Sequence, residues 1–266
     1  MRILALETSD KTGGAAAIDG CNVLAELTLD QNLRSAQSLA PAIKNLIEQV
    51  KWQPADVQLV AVTVGPGSFT GLRVGVTTAK IFAYAVSAEV LGVDTLESVA
   101  MNCAPAICRT GRTGCQPVPT KSADASRTGC QPVPTKSADP SRTGCQPVLH
   151  VSIDAQRGDV VARTFEVESA NHVQPIGPEE LIPLDEWLQR LTPGSFVSGP
   201  ALLRHAERLP PNVAVMDREL WFPCAAAVGL LAARDYAAGR RGDIWKLAPR
   251  YSRRSAAEEK WDAMGR

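Results

Sequence analysis

The sequence predicts an α/β protein with two similar lobes, each a mixed sheet with helices on its faces. Three observations predict this fold class: strand and helix patterns alternate, the two halves open in the same way, and only 5% of the residues are aromatic although 45% are hydrophobic. A helix-covered sheet suits that composition better than a β-sandwich does. The 266 residues are enough for one large domain or two small ones, each with its own core.

The net charge and the apolar segments are unlike those of a strongly basic protein, a protein with a signal peptide or a membrane-spanning protein. The chain has 28 Lys and Arg residues against 28 Asp and Glu residues, so it has no global basic field, and any RNA contact has to be local or supplied by a partner. The first apolar segment ends at Glu7, unlike a signal peptide, and charged residues interrupt the longest one, 72–93. We therefore expect a cytoplasmic protein with reduced cysteines and no membrane span.

The strands of the first half are predicted from apolar segments and turn signals. Asp19-Gly20 is a standard hairpin dipeptide between two such segments, and the nearly continuous apolar residues of 57–64 are typical of a strand buried on both faces. The predicted strands are 3–7, 15–18, 23–29, 57–64 and 90–93.

Helical spacing of apolar residues predicts three helices among these strands, in the order β-β-β-α-β-α-β-α. The second helix is expected at 72–87 and the third at 95–101. Pro41 fits the first helix if that helix is capped near Ser38, because the first turn has spare N–H groups. The apolar face of the first helix consists of Leu39, Ile43, Leu46, Ile47 and Val50.

The second half opens as the first does, with a strand that ends in an acid. Strand 150–154 ends at Asp154 as strand 3–7 ends at Glu7, and a polar turn and another strand, 159–167, follow. This parallel indicates a duplicated lobe. Further predicted elements are helices at 184–191, 200–209 and 223–238 and a strand near 196–198.

A tandem repeat separates the two halves. Residues 112–124 recur verbatim at 127–139, and a truncated copy occupies 142–148. One Cys per unit with no His nearby is poor spacing for a metal or redox array, and the polar, Pro-rich composition favours a flexible surface insertion. The predicted organisation is an N-terminal lobe at 1–104, an insertion at 105–148 and a C-terminal lobe at 149–266.

A glycine-rich loop, Gly65-Pro-Gly-Ser-Phe-Thr-Gly71, lies between a predicted strand and a helix. This is a common context for phosphate binding, but the loop matches neither the P-loop nor the dinucleotide fingerprint. Ser68 or Thr70 could cap the helix. A structural strand–helix turn is therefore at least as well supported as an anion site.

The longer string from Gly65 to Gly75 resembles the signature of the bacterial TsaB family, the dimerisation subunit of the tRNA threonylcarbamoyladenosine machinery. The opening residues 1–9 and the segments 91–96 and 153–159 also fit, and the tail 247–251 resembles the family's Pro-x-Tyr-Leu-Arg segment up to Tyr251. The similarity covers nearly all of 1–104 and is looser over 149–266.

The resemblance implies a two-lobed fold of the actin, Hsp70 and sugar-kinase type. It also implies a non-catalytic cytoplasmic subunit that pairs with a catalytic paralogue, TsaD, and an ATPase, TsaE. That complex transfers a threonylcarbamoyl group to N6 of the adenosine next to the anticodon in tRNAs that read codons starting with A. The resemblance further implies a homodimer when the chain is alone, tRNA contact only through the complex, and ATP and a divalent metal on the partner subunits.

The histidines agree with a subunit that has no metal site of its own. The catalytic paralogue holds its metal through an H-x-x-x-H motif, whereas His150, His172 and His205 are far apart in this sequence. No G-x-S-x-G nucleophile motif occurs either. Two alternatives stay open: an active small-molecule kinase or ATPase of the same fold, and, with less support, a metallopeptidase-like enzyme.

Acids at the strand ends are the candidates for a remaining nucleotide site. Glu7, with Thr8 and Ser9, and Asp154 occupy positions where sugar-kinase-like ATPases hold a metal–phosphate complex, which suggests weak cofactor-binding candidates in a cleft between the lobes. The competing interpretation is a carboxylate that hydrogen-bonds to the turn after it. The sequence favours that interpretation, because neither a Lys nor a second phosphate loop accompanies the acids.

A stripe of small residues along the second helix is the candidate partner interface. Residues four apart share one helical face, and mid-helix Gly75 calls for close approach of another backbone. That neighbour is either this chain's own sheet or a partner, and the resemblance favours the partner. The predicted interface consists of Leu39, Ile43, Leu46, Gly71, Leu72, Gly75, Val76, Ala79, Phe82 and Ala83.

Overall fold

Two five-stranded sheets with the same strand plan form the frame of the protein. The computed structural model describes residues 1–11, 13–30, 35–110, 146–253 and 261. The predicted flexible insertion therefore lies mostly outside the described residues. Within these ranges, no helix combines the length and apolar character that crossing a membrane requires.

The N-terminal sheet has the strand order β3-β2-β1-β4-β5. β1 pairs antiparallel with β2 and parallel with β4, as expected of a mixed sheet. The hairpin turns at Gly20, whose φ is +61°. All five predicted strands are confirmed; their bounds are β1 Arg2–Glu7, β2 Gly14–Asp19, β3 Asn22–Thr28, β4 Leu59–Gly65 and β5 Glu89–Asp94.

Helices α1 (Ser35–Gln49), α2 (Phe69–Val86) and α3 (Thr95–Arg109) complete the predicted order of the first half. Ser68 caps α2, because its hydroxyl accepts a hydrogen bond from the N–H of Gly71 at 3.3 Å. The expected cap near Ser38 is wrong: α1 begins at Ser35, so Pro41 lies inside the helix. α3 continues past residue 104, so the first five residues assigned to the insertion are helical.

The C-terminal sheet repeats the plan in the order β8-β7-β6-β9-β10. β6 pairs antiparallel with β7 and parallel with β9, which confirms the duplication. The bounds are β6 Val148–Asp154, β7 Asp159–Ser169, β8 His172–Pro183, β9 Phe196–Ser198, β10 Ala214–Val215, and helices α4 Leu184–Arg190, α5 Leu202–His205 and α6 Ala225–Ala237.

Three elements of this half differ from the prediction, and one of them is the two-residue strand β10, which was not predicted. β8 was not predicted; as an edge strand it tolerates its prolines, since its outer N–H groups need no strand partner. The helix expected at 200–209 is only the four-residue α5 followed by a 3₁₀ turn at 206–208.

Helices α3 and α6 lie between the two sheets. α6 packs on β1 and β2, whereas α3 packs on β6, β7 and β8, and both contribute to one core that includes residues from both sheets. On the outer faces, α1 and α2 cover the N-terminal sheet, and α4 and α5 cover the C-terminal sheet. Helix α6 thus completes the first lobe although it follows the strands of the second in sequence.

A C-terminal strap, residues 240–253, returns to the N-terminal sheet and runs along its edge strand, β5. The N–H of Arg250 donates to the carbonyl of Val64 at 2.6 Å, and Lys80 Nζ on α2 donates to the carbonyl of Leu247 at 3.2 Å. Gly242 lies so close to β5 that a Cβ there would be 1.8 Å from the carbonyl oxygen of Val90. The strap therefore packs on the first lobe although it follows the second in sequence.

Candidate functional site

The glycine loop packs against the chain's own backbone. An added Cβ would lie 2.2 Å from the carbonyl oxygen of Arg250 at Gly65, 2.5 Å from that of Ser9 at Gly67, and 2.0 Å from that of Thr8 at Gly71. Glycine is needed at these positions because no side chain fits between the two segments. These contacts are those of a structural strand–helix turn.

Glu7 is fully buried at the end of β1. Its Oε1 accepts hydrogen bonds from the N–H and the hydroxyl of Ser9, both at 2.5 Å. Burial raises the pKa of Glu7 to about 7, and the Ser9 hydrogen bonds only partly offset this rise. Oε2 of Glu7 and Oγ1 of Thr8 are buried without a hydrogen-bond partner among the described residues.

Asp154 repeats this arrangement in the second lobe. Its Oδ1 accepts from the N–H of Gln156 at 2.7 Å, and Arg204 pairs with its Oδ2 at 2.8 Å. Both strand-end acids therefore hydrogen-bond to the residue two positions later, which is the turn interpretation that the sequence favoured. Glu7, Thr8 and Ser9 lie together at the glycine loop, whereas Asp154 is held by Arg204. Within the described ranges, no group of three or more His, Cys, Asp or Glu residues is placed to hold a metal.

The predicted interface stripe faces inward. Gly71, Gly75, Ala79 and Ala83 are buried against the chain's own N-terminal sheet and the turn after β1, so their placement at a partner surface is wrong. The same correction applies to the buried side chains of Leu39, Leu46, Leu72 and Val76, whereas Ile43 and the half-buried Phe82 line a groove at the surface. The neighbour that Gly75 requires is the chain itself. Formation of a homodimer and pairing with a catalytic paralogue stay predictions.

An open groove of about 780 Å³ lies between the outer faces of α1 and α2. Ile81 and Ala85 on α2 are exposed on its wall, and Ile81 is 64% exposed. Of the residues that line this groove, sequence reasoning placed only Ile43 and Phe82 at a partner interface. Apolar Ile81 on the face opposite the stripe was a further signal, since that face of a solvated helix is normally polar. The groove is lined by Ala40, Ile43, Lys44, Ile47, Glu48, Trp52, Gln53, Pro54, Thr78, Ile81, Phe82 and Ala85.

Comparisons with known proteins add to this geometry. A family model described as TsaD, tRNA N6-adenosine threonylcarbamoyltransferase, matches residues 22–118, just over a third of the chain. The chain is 35% identical over 102 residues to the tRNA threonylcarbamoyladenosine biosynthesis protein TsaB of Bacillus subtilis, and 30% identical over 100 residues to TsaB of Escherichia coli. The resemblance to the TsaB family is confirmed.

The TsaB relatives are matched over only part of their length. The aligned region covers 38% of this chain, 44% of the B. subtilis protein and 43% of the E. coli protein. The structural likeness is wider: YeaZ from Pseudomonas aeruginosa superposes with a TM-score of 0.68 at 20% identity, covering 94% of this chain and 99% of that chain. This likeness shows that the chain shares the two-lobed fold of that YeaZ structure.

Proposed function

We propose that the chain is a non-catalytic scaffold subunit for threonylcarbamoylation of N6 of the adenosine next to the anticodon, in tRNAs that read codons starting with A. In this proposal it pairs in the cytoplasm with a TsaD-like catalytic paralogue and a TsaE-like ATPase, and forms a homodimer when alone. ATP and a divalent metal belong to the partner subunits. The names of the TsaB relatives and of the matching family model support the pathway.

The α1–α2 groove is the observation that carries the proposal. Its centre is apolar, with exposed Ile81 and half-buried Phe82, and its rim is polar, with Lys44 and Glu48 paired at 3.9 Å. An apolar centre with a polar rim is the usual anatomy of a protein interface. We assign pairing to this groove rather than to the buried stripe.

The contacts of the polar residues that were considered as catalytic or binding residues support a scaffold rather than an enzyme. The glycine loop packs against Thr8, Ser9 and Arg250, and both strand-end acids hydrogen-bond to their own turns. His150 lies in the sheet between the hydroxyls of Thr164 and Thr192, and burial lowers its pKa to about 4, as expected of a neutral structural histidine.

The test is tRNA nucleoside analysis in a bacterial strain depleted of its own TsaB. Expression of this chain with its cognate TsaD-like and TsaE-like partners restores threonylcarbamoyladenosine, measured by mass spectrometry of digested tRNA. The same partners without the chain do not restore it. Failure to restore the nucleoside, or ATP turnover by the isolated chain, contradicts the proposal.

A further inference from the structure

One side of α2 and the strap together form a row of cations and aromatic rings. Arg73, Lys80 and Tyr84 follow each other along α2 at spacings of seven and four residues, which places them on one helical side over about 16 Å. The strap runs beside them in the opposite direction. We call this surface the aromatic–basic strip; it consists of Arg73, Lys80, Tyr84, Trp245, Lys246 and Tyr251.

Direct contacts hold the strip in place. Arg73 Nε donates to the hydroxyl of Tyr251 at 3.0 Å, and its guanidinium lies 3.9 Å from the ring centre of Phe69. Lys80 Nζ donates to the carbonyls of Trp245 and Leu247. At the far end, the rings of Tyr84 and Trp245 meet edge to face with centroids 6.1 Å apart.

The aromatic rings at the far end are open to solvent. Trp245 is 76% exposed and Tyr84 is 70% exposed, although both rings already have a neighbour that orients them. A large exposed ring held in a defined orientation is suited to stacking on a flat ligand.

The strip is locally basic in a chain of zero net charge. Segments 69–86 and 240–253 together contain seven Lys and Arg residues and one acid, Asp243. Four of these cations are paired with acids of other segments: Arg240, Arg241, Arg250 and Arg253. Arg73 and Lys80, in contrast, have no carboxylate partner among the described residues, whereas Lys246, whose side chain is 86% exposed, forms an ion pair with Asp243 at 3.6 Å within the strap.

We propose that the aromatic–basic strip binds single-stranded RNA, and in the complex an unpaired segment of the tRNA substrate. Unpaired cations attract phosphates, and exposed rings stack on bases whatever the sequence, which is the combination that single-stranded nucleic acid requires. A protein partner would gain from the rings but would have to desolvate the lysines, and the apolar groove offers it a better surface. The proposal deepens the proposed function, since it places a tRNA contact on this subunit.

The experiment measures binding of a fluorescent anticodon stem-loop RNA to the full chain by anisotropy, at increasing salt. For three phosphate contacts, the logarithm of Kd rises with the logarithm of salt concentration with a slope of about 2. Trp245→Ala weakens binding by about tenfold, whereas Trp245→Phe largely keeps it. Lys246→Gln lowers the slope by about 0.7. Arg218→Gln, at an exposed site in the second lobe, is the matched control and changes neither quantity.

Two results would overturn the RNA proposal. One is that the chain does not bind the RNA, or that Trp245→Ala leaves the RNA affinity unchanged while the far-ultraviolet circular dichroism of the variant equals that of the wild type. The other is loss of co-purification with the TsaD-like paralogue in Trp245→Ala at unchanged RNA affinity, which would make the strip a protein contact. Pairing is measured separately, so failure of RNA binding with intact pairing leaves the proposed function standing.

Discussion

Gly75 of α2 lies directly against Thr8 of the turn after β1. A Cβ added to Gly75 would be 2.1 Å from Thr8 Oγ1 and 3.3 Å from Thr8 Cβ. The small residue in mid-helix therefore lets α2 approach the chain's own turn. This contact turns the face of α2 that carries Ile81 outward, toward α1 and solvent.

Enlarging Gly75 is expected to destabilise the fold. Gly75→Leu lowers the free energy of unfolding by about 3 kcal/mol or more, because the new side chain overpacks a buried contact. Urea unfolding followed by circular dichroism measures this loss. Thr77→Leu, on the exposed side of the same helix, is the control and has little effect.

A double mutant tests whether Thr8 is the obstacle. Thr8→Ala removes the atom nearest to the added Cβ, so Gly75→Ala costs less stability in the Thr8→Ala background than in the wild type. Equal costs in both backgrounds would show that Thr8 does not limit the size of residue 75.

Glu7 is expected to make stability fall as the pH rises. Its pKa is raised from the ordinary 4.5 to about 7, so the folded state keeps a proton that the unfolded state loses. The contribution of Glu7 is fully present below pH 4.5 and is lost as the pH rises to 7, by on the order of 3 kcal/mol. Urea unfolding of wild type and Glu7→Gln from pH 4.5 to 8 should show the variant gaining on the wild type as the pH rises. A constant difference contradicts the raised pKa.

His150 acts in the opposite direction, which is why the wild type alone is not informative. Its pKa is lowered from 6.5 to about 4 by burial, so its contribution is present above pH 6.5 and is lost as the pH falls toward 4. Comparing wild type with Glu7→Gln at each pH cancels this term, because both proteins contain His150.

Arg250 is expected to hold the strap across the two lobes. Its guanidinium pairs with Asp94 at the end of β5 and, at 3.1 Å, with Glu179 on β8. Arg250→Ala leaves Asp94, whose side chain is only 9% exposed, without this partner, and lowers stability by about 1–2 kcal/mol. Hydrogen exchange measured by mass spectrometry should show faster exchange in the strap. Unchanged exchange there would mean that the Val64 backbone bond alone holds it.

The described cysteines are expected to differ sharply in reactivity. Burial raises the pKa of both the Cys103 and the Cys224 thiols to about 12, whereas Cys21 and Cys108 are exposed. Iodoacetamide at pH 8 should label Cys21 and Cys108 in the native protein, and Cys103 and Cys224 only after unfolding. Peptide mass spectrometry resolves the four sites. Native labelling of Cys103 at the rate of Cys21 would contradict the buried position of α3.

Local patterns were enough to predict the first lobe and the duplication. Strand β4 and the Asp19-Gly20 hairpin follow from local chemistry, and the two strand-end acids marked the repeat. β8 was not predicted from the sequence. Its prolines are tolerated because it is an edge strand, and the position of a strand at the edge is a property of the assembled sheet.

The candidate site was only partly predictable. The sequence shows that Gly75 needs a close neighbour, but a turn 67 residues earlier supplies it, and no local pattern identifies that turn. The same holds for Arg250, whose partner Asp94 is 156 residues away. Once the stripe is assigned to the core, the helical period places the interface candidates on the opposite face.

The most direct test of the account is co-purification of the TsaD-like paralogue with a variant altered only in the α1–α2 groove. Ile81→Glu places a charge in the apolar centre of the groove, at a side chain exposed enough for the fold to tolerate it. In size-exclusion chromatography with light scattering, we expect the Ile81→Glu chain to be folded and to bind the paralogue at least tenfold more weakly than the wild type does. The control variant, Arg218→Gln, is expected to pair as the wild type does. Undiminished pairing of Ile81→Glu would contradict the assignment of the groove as the partner interface.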